Sequence, residues 1–224
     1  MIVKIKRQDN VNSVSYWQHF EYNGPENASI ATVLDTLNFA DDLFDIEGNR
    51  ARRIKWECSC MQKMCGACAM VINNRPALAC NTFINELKGK ELVIEPLSKF
   101  PVLCDLCVDR SSVQKRLIDA NAYISETKDI SLKENLHRYR SGKCLKCCLC
   151  LEVCPNFKKG DKFYGANFAN DAYLIKSGNA DGDNNIRGAY KKHFEGGCSR
   201  CLACQDICPM EIPLVSSMAK MNRG

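Results

Sequence analysis

Cys198, Cys201, Cys204 and Cys208 lie at offsets 0, 3, 6 and 10, and Pro209 follows at once. The same spacing and the same closing proline recur at Cys144, Cys147, Cys150, Cys154 and Pro155. Thiolates so spaced suit iron–sulfur cubanes, with the first three cysteines of a run on one [4Fe–4S] cluster and the fourth on the other. Two complete runs in one chain do not arise by accident, and zinc does not call for that crossed sharing. A third group reads Cys60, four residues, Cys65, two residues, Cys68, then eleven residues before Cys80. Two irons bridged by two sulfides take two thiolates each, and a tight loop supplying three of the four is the plant-type [2Fe–2S] pattern. Gly66 lets the backbone turn close to such a cluster, so that its amides point at sulfur. Zinc is the alternative for this group, because cysteines two residues apart also serve zinc. The further rival is then a zinc-binding interaction protein, colourless where an iron–sulfur protein is brown.

Twelve of the sixteen cysteines fall in these three groups, leaving Cys58, Cys104, Cys107 and Cys148. They read as small thiols packed at a domain junction; metal binding by the Cys104/Cys107 pair with Cys58 or Cys148, or a redox dithiol, is the other reading. No other chemistry stands out. His19, His137 and His193 are isolated and read as structural or surface residues. There is no nucleophile elbow, phosphate loop or dinucleotide fingerprint, so a flavin would lie on a partner. Trp56, beside the first cysteine loop, reads as packing, and Lys158–Lys159 and Lys191–Lys192 as solvated faces. The stretch SGNADGDNN lacks the spacing and closing glutamate of an EF-hand and reads as a solvated turn.

The elements that must position these thiols change character along the chain. MIVKIK, the stretch from Val14 to Tyr22, AMVINN and ELVIEP read as strands. Between them SIATVLDTLNFADDLF reads as a helix capped by Ser29 or Asn27, with Val33, Leu34, Leu37, Ala40 and Phe44 as its apolar stripe. After Pro96 and Pro101 the patterns are helical: VDRSSVQKRLIDANAYI, DISLKENLHRYR, GANFANDAYLIKS and PLVSSMAKM. The expectation is an α+β domain over residues 1–100, followed by an all-α domain over 101–224.

With 46% apolar residues the 224-residue chain can build two cores. Its 31 basic and 26 acidic residues are interspersed, which argues against a nucleic-acid partner. Three clusters, each contributing about −2 with its four thiolates, take the formal +5 to about −1. The N-terminus alternates apolar and polar residues and reads as a strand rather than a signal peptide. No apolar run approaches the roughly 18 residues of a membrane span. So many thiols imply a reducing compartment.

The cysteine groups, together with ATVLDTLNF, KWECSC…CGACAMVINNRPALAC, LVIEPL…FPVLCDLCVDR and CPMEIP, resemble the iron–sulfur subunit family of succinate dehydrogenases and fumarate reductases over nearly the whole chain. The resemblance implies an N-terminal β-grasp plant-type ferredoxin domain, then an all-α bacterial-ferredoxin-like two-cluster domain. It implies electron transfer between a FAD-containing flavoprotein and a membrane quinone, and a cytoplasmic subunit held peripherally to the membrane through a membrane anchor subunit. Carried over by residue, Cys60, Cys65, Cys68 and Cys80 hold the [2Fe–2S] cluster, and Cys144, Cys147, Cys150 and Cys208 the middle [4Fe–4S] cluster. Cys154, Cys198 and Cys204 hold the distal cluster, [3Fe–4S] in most of the family because an apolar residue occupies the position of Cys201. A fourth thiolate there predicts a [4Fe–4S] cluster of lower potential. CPNFKKGDKF lacks the tryptophans that help to bind quinone in the family, and Ser199 stands where a histidine is common. These departures motivate an alternative: a related flavin-dependent enoate reductase with a non-quinone partner.

Overall fold

The computed structural model describes residues 1–89, 91–180 and 185–223. The chain divides into two compact units, Met1–Asp109 and Arg110–Gly224.

The first unit contains β1 (Ile2–Arg7), β2 (Tyr16–Glu21), α1 (Ile30–Phe39), β3 (Leu43–Phe44), β4 (Arg50–Ala51), β5 (Ala69–Ile72), β6 (Arg75–Leu78), β7 (Glu91–Glu95), β8 (Val102–Cys104) and β9 (Cys107–Val108). Five strands form one mixed sheet in the order β2-β1-β7-β5-β6. β1 runs parallel to β7, and the other pairings are antiparallel. Alternation in IVKIKR sends Val3 and Ile5 into the core beside Leu92 and Ile94 of the neighbouring strand, all four fully buried. This is the β-grasp arrangement. Ser29 caps α1, its Oγ accepting from Thr32 N at 3.1 Å. The helix ends at Phe39, so Ala40 and Phe44 do not extend its stripe; both are exposed, and Phe44 lies in β3. The buried face is Ile30, Ala31, Val33, Leu34 and Leu37.

The unit extends past Pro101 to Asp109, and the reason is electrostatic. Asp105, fully buried in the β8–β9 turn, accepts from Arg7 Nε at 3.0 Å and from both Nη atoms of Arg52 at 2.7 and 2.8 Å. Its carboxylate also takes the backbone amides of Gln8 at 3.0 Å and Lys55 at 2.9 Å. In return Asp105 N donates to Gln8 O and Leu106 N to Lys55 O. The hairpin is thus stitched to the end of β1 and to the segment that leads into the first cysteine loop.

The second unit holds α2 (Ser111–Asp119), α3 (Leu132–Gly142), α4 (Leu149–Glu152), α5 (Ala166–Gly178), α6 (Ile186–His193), α7 (Ala203–Asp206) and α8 (Leu214–Asn222). α5 packs against α8, α6, α3, α4 and α2 and is buried along most of its first two turns. α2 stops at Asp119 although the helical pattern runs to Ile124. Asn121 turns left-handed at φ 47°, and Ala122 N reaches back to Leu117 O, a Schellman closure. Of the turn read in SGNADGDNN, Ser177 and Gly178 finish α5 and Asn179 is buried, accepting from Ser125 N and donating to Tyr123 O. That end of the stretch is therefore not solvated, and residues 181–184 lie outside the described residues. No described helix is long and apolar enough to cross a membrane.

Burial raises the Asp105 carboxyl, but Arg52, Arg7 and the two amides outweigh it, so its pKa is lowered. A folded pKa below the unfolded value of about 3.9 means that the stabilisation is complete at neutral pH and is lost as pH falls below that value. Asp105→Asn leaves Arg7 buried without its counter-charge and is expected to cost about 3 kcal/mol at pH 7. Both tryptophans, Trp17 and Trp56, lie in the first unit, so denaturation followed by tryptophan fluorescence reads this cost. The difference between variant and parent should shrink as the pH is taken below about 3.9.

Candidate metal centres

The loop 60–68 wraps its own sulfurs with backbone. Gln62 N and Met64 N donate to Cys60 Sγ at 3.3 and 3.2 Å, Lys63 N to Cys80 Sγ at 3.3 Å, and Ala67 N to Cys65 Sγ at 3.5 Å. Met61, Lys63 and Gly66 take positive φ of 55°, 61° and 76° to turn the amides inward, a strained conformation for the two that carry Cβ. The four thiols meet as two pairs, the Cys60 side chain on Cys65 and the Cys68 side chain on Cys80. The amides of Gln62 and Met64 bring the Cys60 thiol down to about 7, whereas burial pushes Cys68 up to about 12. Two pairs of sulfur donors, ringed by N–H groups, fit a core of two irons with two thiolates each.

In the second unit the two runs have one backbone pattern. Lys146 and Arg200, each the second residue after a first cysteine, are left-handed at φ 53° and 58°. So are Cys148 and Leu202, each the residue after a second cysteine, at 69° and 65°. Four-residue helices follow immediately, α4 and α7, which pack on one another. Cys144, Cys147, Cys150 and Cys208 line one cavity with Cys148 and Asn167. Cys154, Cys198, Cys201 and Cys204 line another, of about 360 Å³, whose further walls include Phe163, Tyr190, Phe194, Val215 and Met218. The fourth cysteine of each run therefore stands with the first three of the other.

Several contacts hold this arrangement. Asn156 Nδ2 donates to Gly197 O at 2.5 Å, just ahead of Cys198. Gln205 donates to Ile212 O at 2.9 Å and accepts from Val215 N at 3.2 Å, pinning α7 to the segment that carries Cys208. Ile212 N donates to Cys208 Sγ at 3.4 Å. Burial pushes the thiols of Cys147 and Cys204 up to about 11 and raises that of Cys150 well above its ordinary value. Asn167, 5% exposed, leaves its Oδ1 without a partner beside the first cavity. Four thiols drawn from the two runs around one cavity, with the Ile212 amide donating to Cys208 Sγ, are a donor set that suits a thiolate-bound cluster. Among the described residues no three Cys, His, Asp or Glu side chains converge as a single ion requires. A polynuclear cluster asks instead for thiolates spread around it, each on its own iron.

The four remaining cysteines are not alike, which corrects the reading of all of them as buried packing thiols. Cys148 is buried, donating to Lys146 O at 3.2 Å. Cys58 is exposed, and Cys104 and Cys107 are half-buried across the β8–β9 hairpin, which the Asp105 contacts tie to Arg7, Gln8, Arg52 and Lys55. His137 shares a hydrogen bond with Ser217 Oγ at 3.2 Å, and His193 stacks on Tyr164 with centroids 4.0 Å apart. Lys158, Lys159, Lys191 and Lys192 are exposed, and Trp56 is half-buried. The turn at Gly66 and the amides pointing at sulfur were expected from the sequence. Spacing alone did not reveal the left-handed residues of the second unit, Asn167 or Asp105, since each depends on how the backbone closes around sulfur or on a partner far along the chain.

Fold and donor sets define a class, a protein with a plant-type and a dicluster iron–sulfur domain. Residues 2–115 match the family model of a 2Fe-2S iron-sulfur cluster binding domain, and residues 140–212 that of a 4Fe-4S dicluster domain. The chain is 30% identical over 230 residues to the succinate dehydrogenase iron-sulfur subunit of Bacillus subtilis (strain 168), covering 98% of this chain and 90% of that protein. It is 26% identical over 238 residues to the fumarate reductase iron-sulfur subunit of Wolinella succinogenes, covering 100% and 96%. A chain of the Mycobacterium smegmatis Sdh1 complex in the apo form has the same fold, with a TM-score of 0.76 at 19% identity over 98% of this chain and 92% of that one. This chain belongs to the iron–sulfur subunit family of succinate dehydrogenases and fumarate reductases, and the zinc readings fall with these matches.

Gly165 opens α5 at φ 81°, and a Cβ there would overlap Leu151 Cδ2 and stand 3.3 Å from Phe157 Cδ2. Leu151 belongs to α4 and has no exposed surface to retreat into. Gly165→Ala is expected to destabilise the second unit by about 1 to 3 kcal/mol and to lower its bound iron. Gly160→Ala is the control, since its φ is 76° but nothing lies within 4 Å. Equal melting temperatures for the two variants would contradict the packing account.

Proposed function

We propose that this chain is the electron-transfer subunit of a complex that interconverts succinate and fumarate, passing electrons between a flavoprotein and a quinone or other carrier. The observation that carries the reading is the grouping of twelve thiols into three sets of four, with Cys154 and Cys208 exchanged between the two runs. Cys60, Cys65, Cys68 and Cys80 would hold a [2Fe–2S] cluster, Cys144, Cys147, Cys150 and Cys208 a [4Fe–4S] cluster, and Cys154, Cys198 and Cys204 with Cys201 the distal cluster, here [4Fe–4S]. When bound, such clusters supply one-electron oxidation and reduction.

The chain's own residues set the conditions. The amides aimed at Cys60, Cys65, Cys80 and Cys208 stabilise negative charge on those sulfurs and would thereby favour the reduced, more negative state of a cluster held there. Cys147 is buried and Cys150 and Cys204 are half-buried, which limits the access of water. Cys201 is exposed, yet it lines the distal cavity, and its charge helps to raise the Cys204 thiol. Substrate chemistry belongs to a FAD-containing partner, and membrane attachment to an anchor subunit, which leaves this subunit peripheral on the cytoplasmic side. The relatives' names favour succinate and fumarate over another enoate. Ser199, exposed in the distal cavity, supports a carrier contact that differs from the family's usual histidine.

The test is purification of the complex from native cells under anaerobic conditions. Co-purification with a flavoprotein, turnover of succinate or fumarate, and an oxidised EPR spectrum without a three-iron signal are expected. Turnover of a different enoate with neither of these would overturn the substrate assignment. A full three-iron signal in the oxidised protein would remove Cys201 from the ligand set.

A further inference from the structure

The Cys104/Cys107 pair belongs to none of the three thiol sets, and its geometry is not that of packing residues. β8 and β9 meet through a two-residue turn, Asp105–Leu106, which places Cys104 and Cys107 directly opposite each other. Opposed residues of an antiparallel pair have Cα atoms about 4.5 to 5.5 Å apart, inside the roughly 4.4 to 6.8 Å span of disulfides. The two side chains are already in contact, sulfur to sulfur, and both are half-buried, so a small reagent can reach them. The register shifts between Val102 and Cys104, a bulge at Leu103 of the kind that re-aims a side chain. The turn cannot drift, because Asp105 sits left-handed at φ 41° with its carboxylate held by Arg7, Arg52 and two amides. A rigid hairpin with juxtaposed thiols loses little further freedom on bond formation.

We propose that Cys104 and Cys107 form a redox-active dithiol that exchanges with disulfides of the glutathione type. The exchange balances without any other oxidant. The Cys104 thiolate attacks one sulfur of the external disulfide, forming a mixed disulfide and releasing one thiol. Cys107 sulfur then attacks Cys104 sulfur, the Cys104–Cys107 bond forms, and the second thiol leaves. Two electrons pass to the external disulfide, and the two cysteine protons end on the two released thiols. Burial, with the neighbouring charges of Cys104 and Glu57, pushes the Cys107 thiol up to about 12, which makes Cys107 the second, resolving sulfur.

The experiment uses the full cluster-loaded chain, equilibrated anaerobically over a series of reduced-to-oxidised glutathione ratios, quenched in acid, alkylated and digested. Mass spectrometry of the peptide spanning both residues should show the loss of both alkyl groups together and a product two hydrogens lighter. Cys107→Ser should stop at a glutathione adduct on Cys104, and Cys104→Ser should leave Cys107 largely alkylated. Visible and EPR spectra of the same samples should keep the cluster signals. Retention of both alkyl groups at every ratio would overturn the proposal. So would two separate glutathione adducts, or loss of the clusters at the ratio where the thiols react.

Discussion

Everything in the second unit depends on two four-residue helices lying side by side. α4 follows Cys148 and α7 follows Leu202, and each sends its third cysteine into one cavity while the fourth, just past its end, faces the other. Helices this short have no stability of their own. They persist because α4 packs on α5 and on α7, and Gln205 ties α7 to Ile212 and Val215. A metal core bonded to thiolates from both runs would tie the ends of the unit together, making binding energy into folding energy. The left-handed residues Lys146, Cys148, Arg200 and Leu202 are the conformational cost of winding backbone around such a core, of order 1 kcal/mol or more each.

The first unit meets the same demand in another way. A β-grasp sheet supplies a rigid base, and the loop between β4 and β5 is free to curl, with amides rather than side chains facing sulfur. Asp105 serves the loop at one remove, by fixing Lys55 and Arg52 just ahead of it. In both units the protein works on sulfur with backbone dipoles and exclusion of water, and no titrating side chain is needed for the redox step itself.

Much of this was legible in the residues. Ligand spacing is a covalent and metric constraint, so the sharing of Cys154 and Cys208 was readable from offsets, and the cavities bring the same thiols together. Period-two alternation located β1, β5 and β7, and helical spacing located α3, α5 and α8. What was not readable depends on distant partners. The first unit runs to Asp109 because a buried carboxylate meets Arg7, nearly a hundred residues earlier. Phe44 left its helical stripe because Leu43 and Phe44 pair with β4 instead. The half-exposed Cys104 and Cys107 follow from that same hairpin, and no local pattern announces it.

The most direct measurement is of Cys208→Ser and Cys154→Ser in the full chain, with iron and sulfide quantified and the reduced EPR spectrum resolved into its components. Crossed sharing predicts that Cys208→Ser, although it lies in the last run, disturbs the cluster of Cys144, Cys147 and Cys150, and that Cys154→Ser disturbs the cluster of Cys198 and Cys204. If each variant instead alters the cluster of its own run, the thiol sets described by the two cavities are not the ligand sets, and the account fails at its centre.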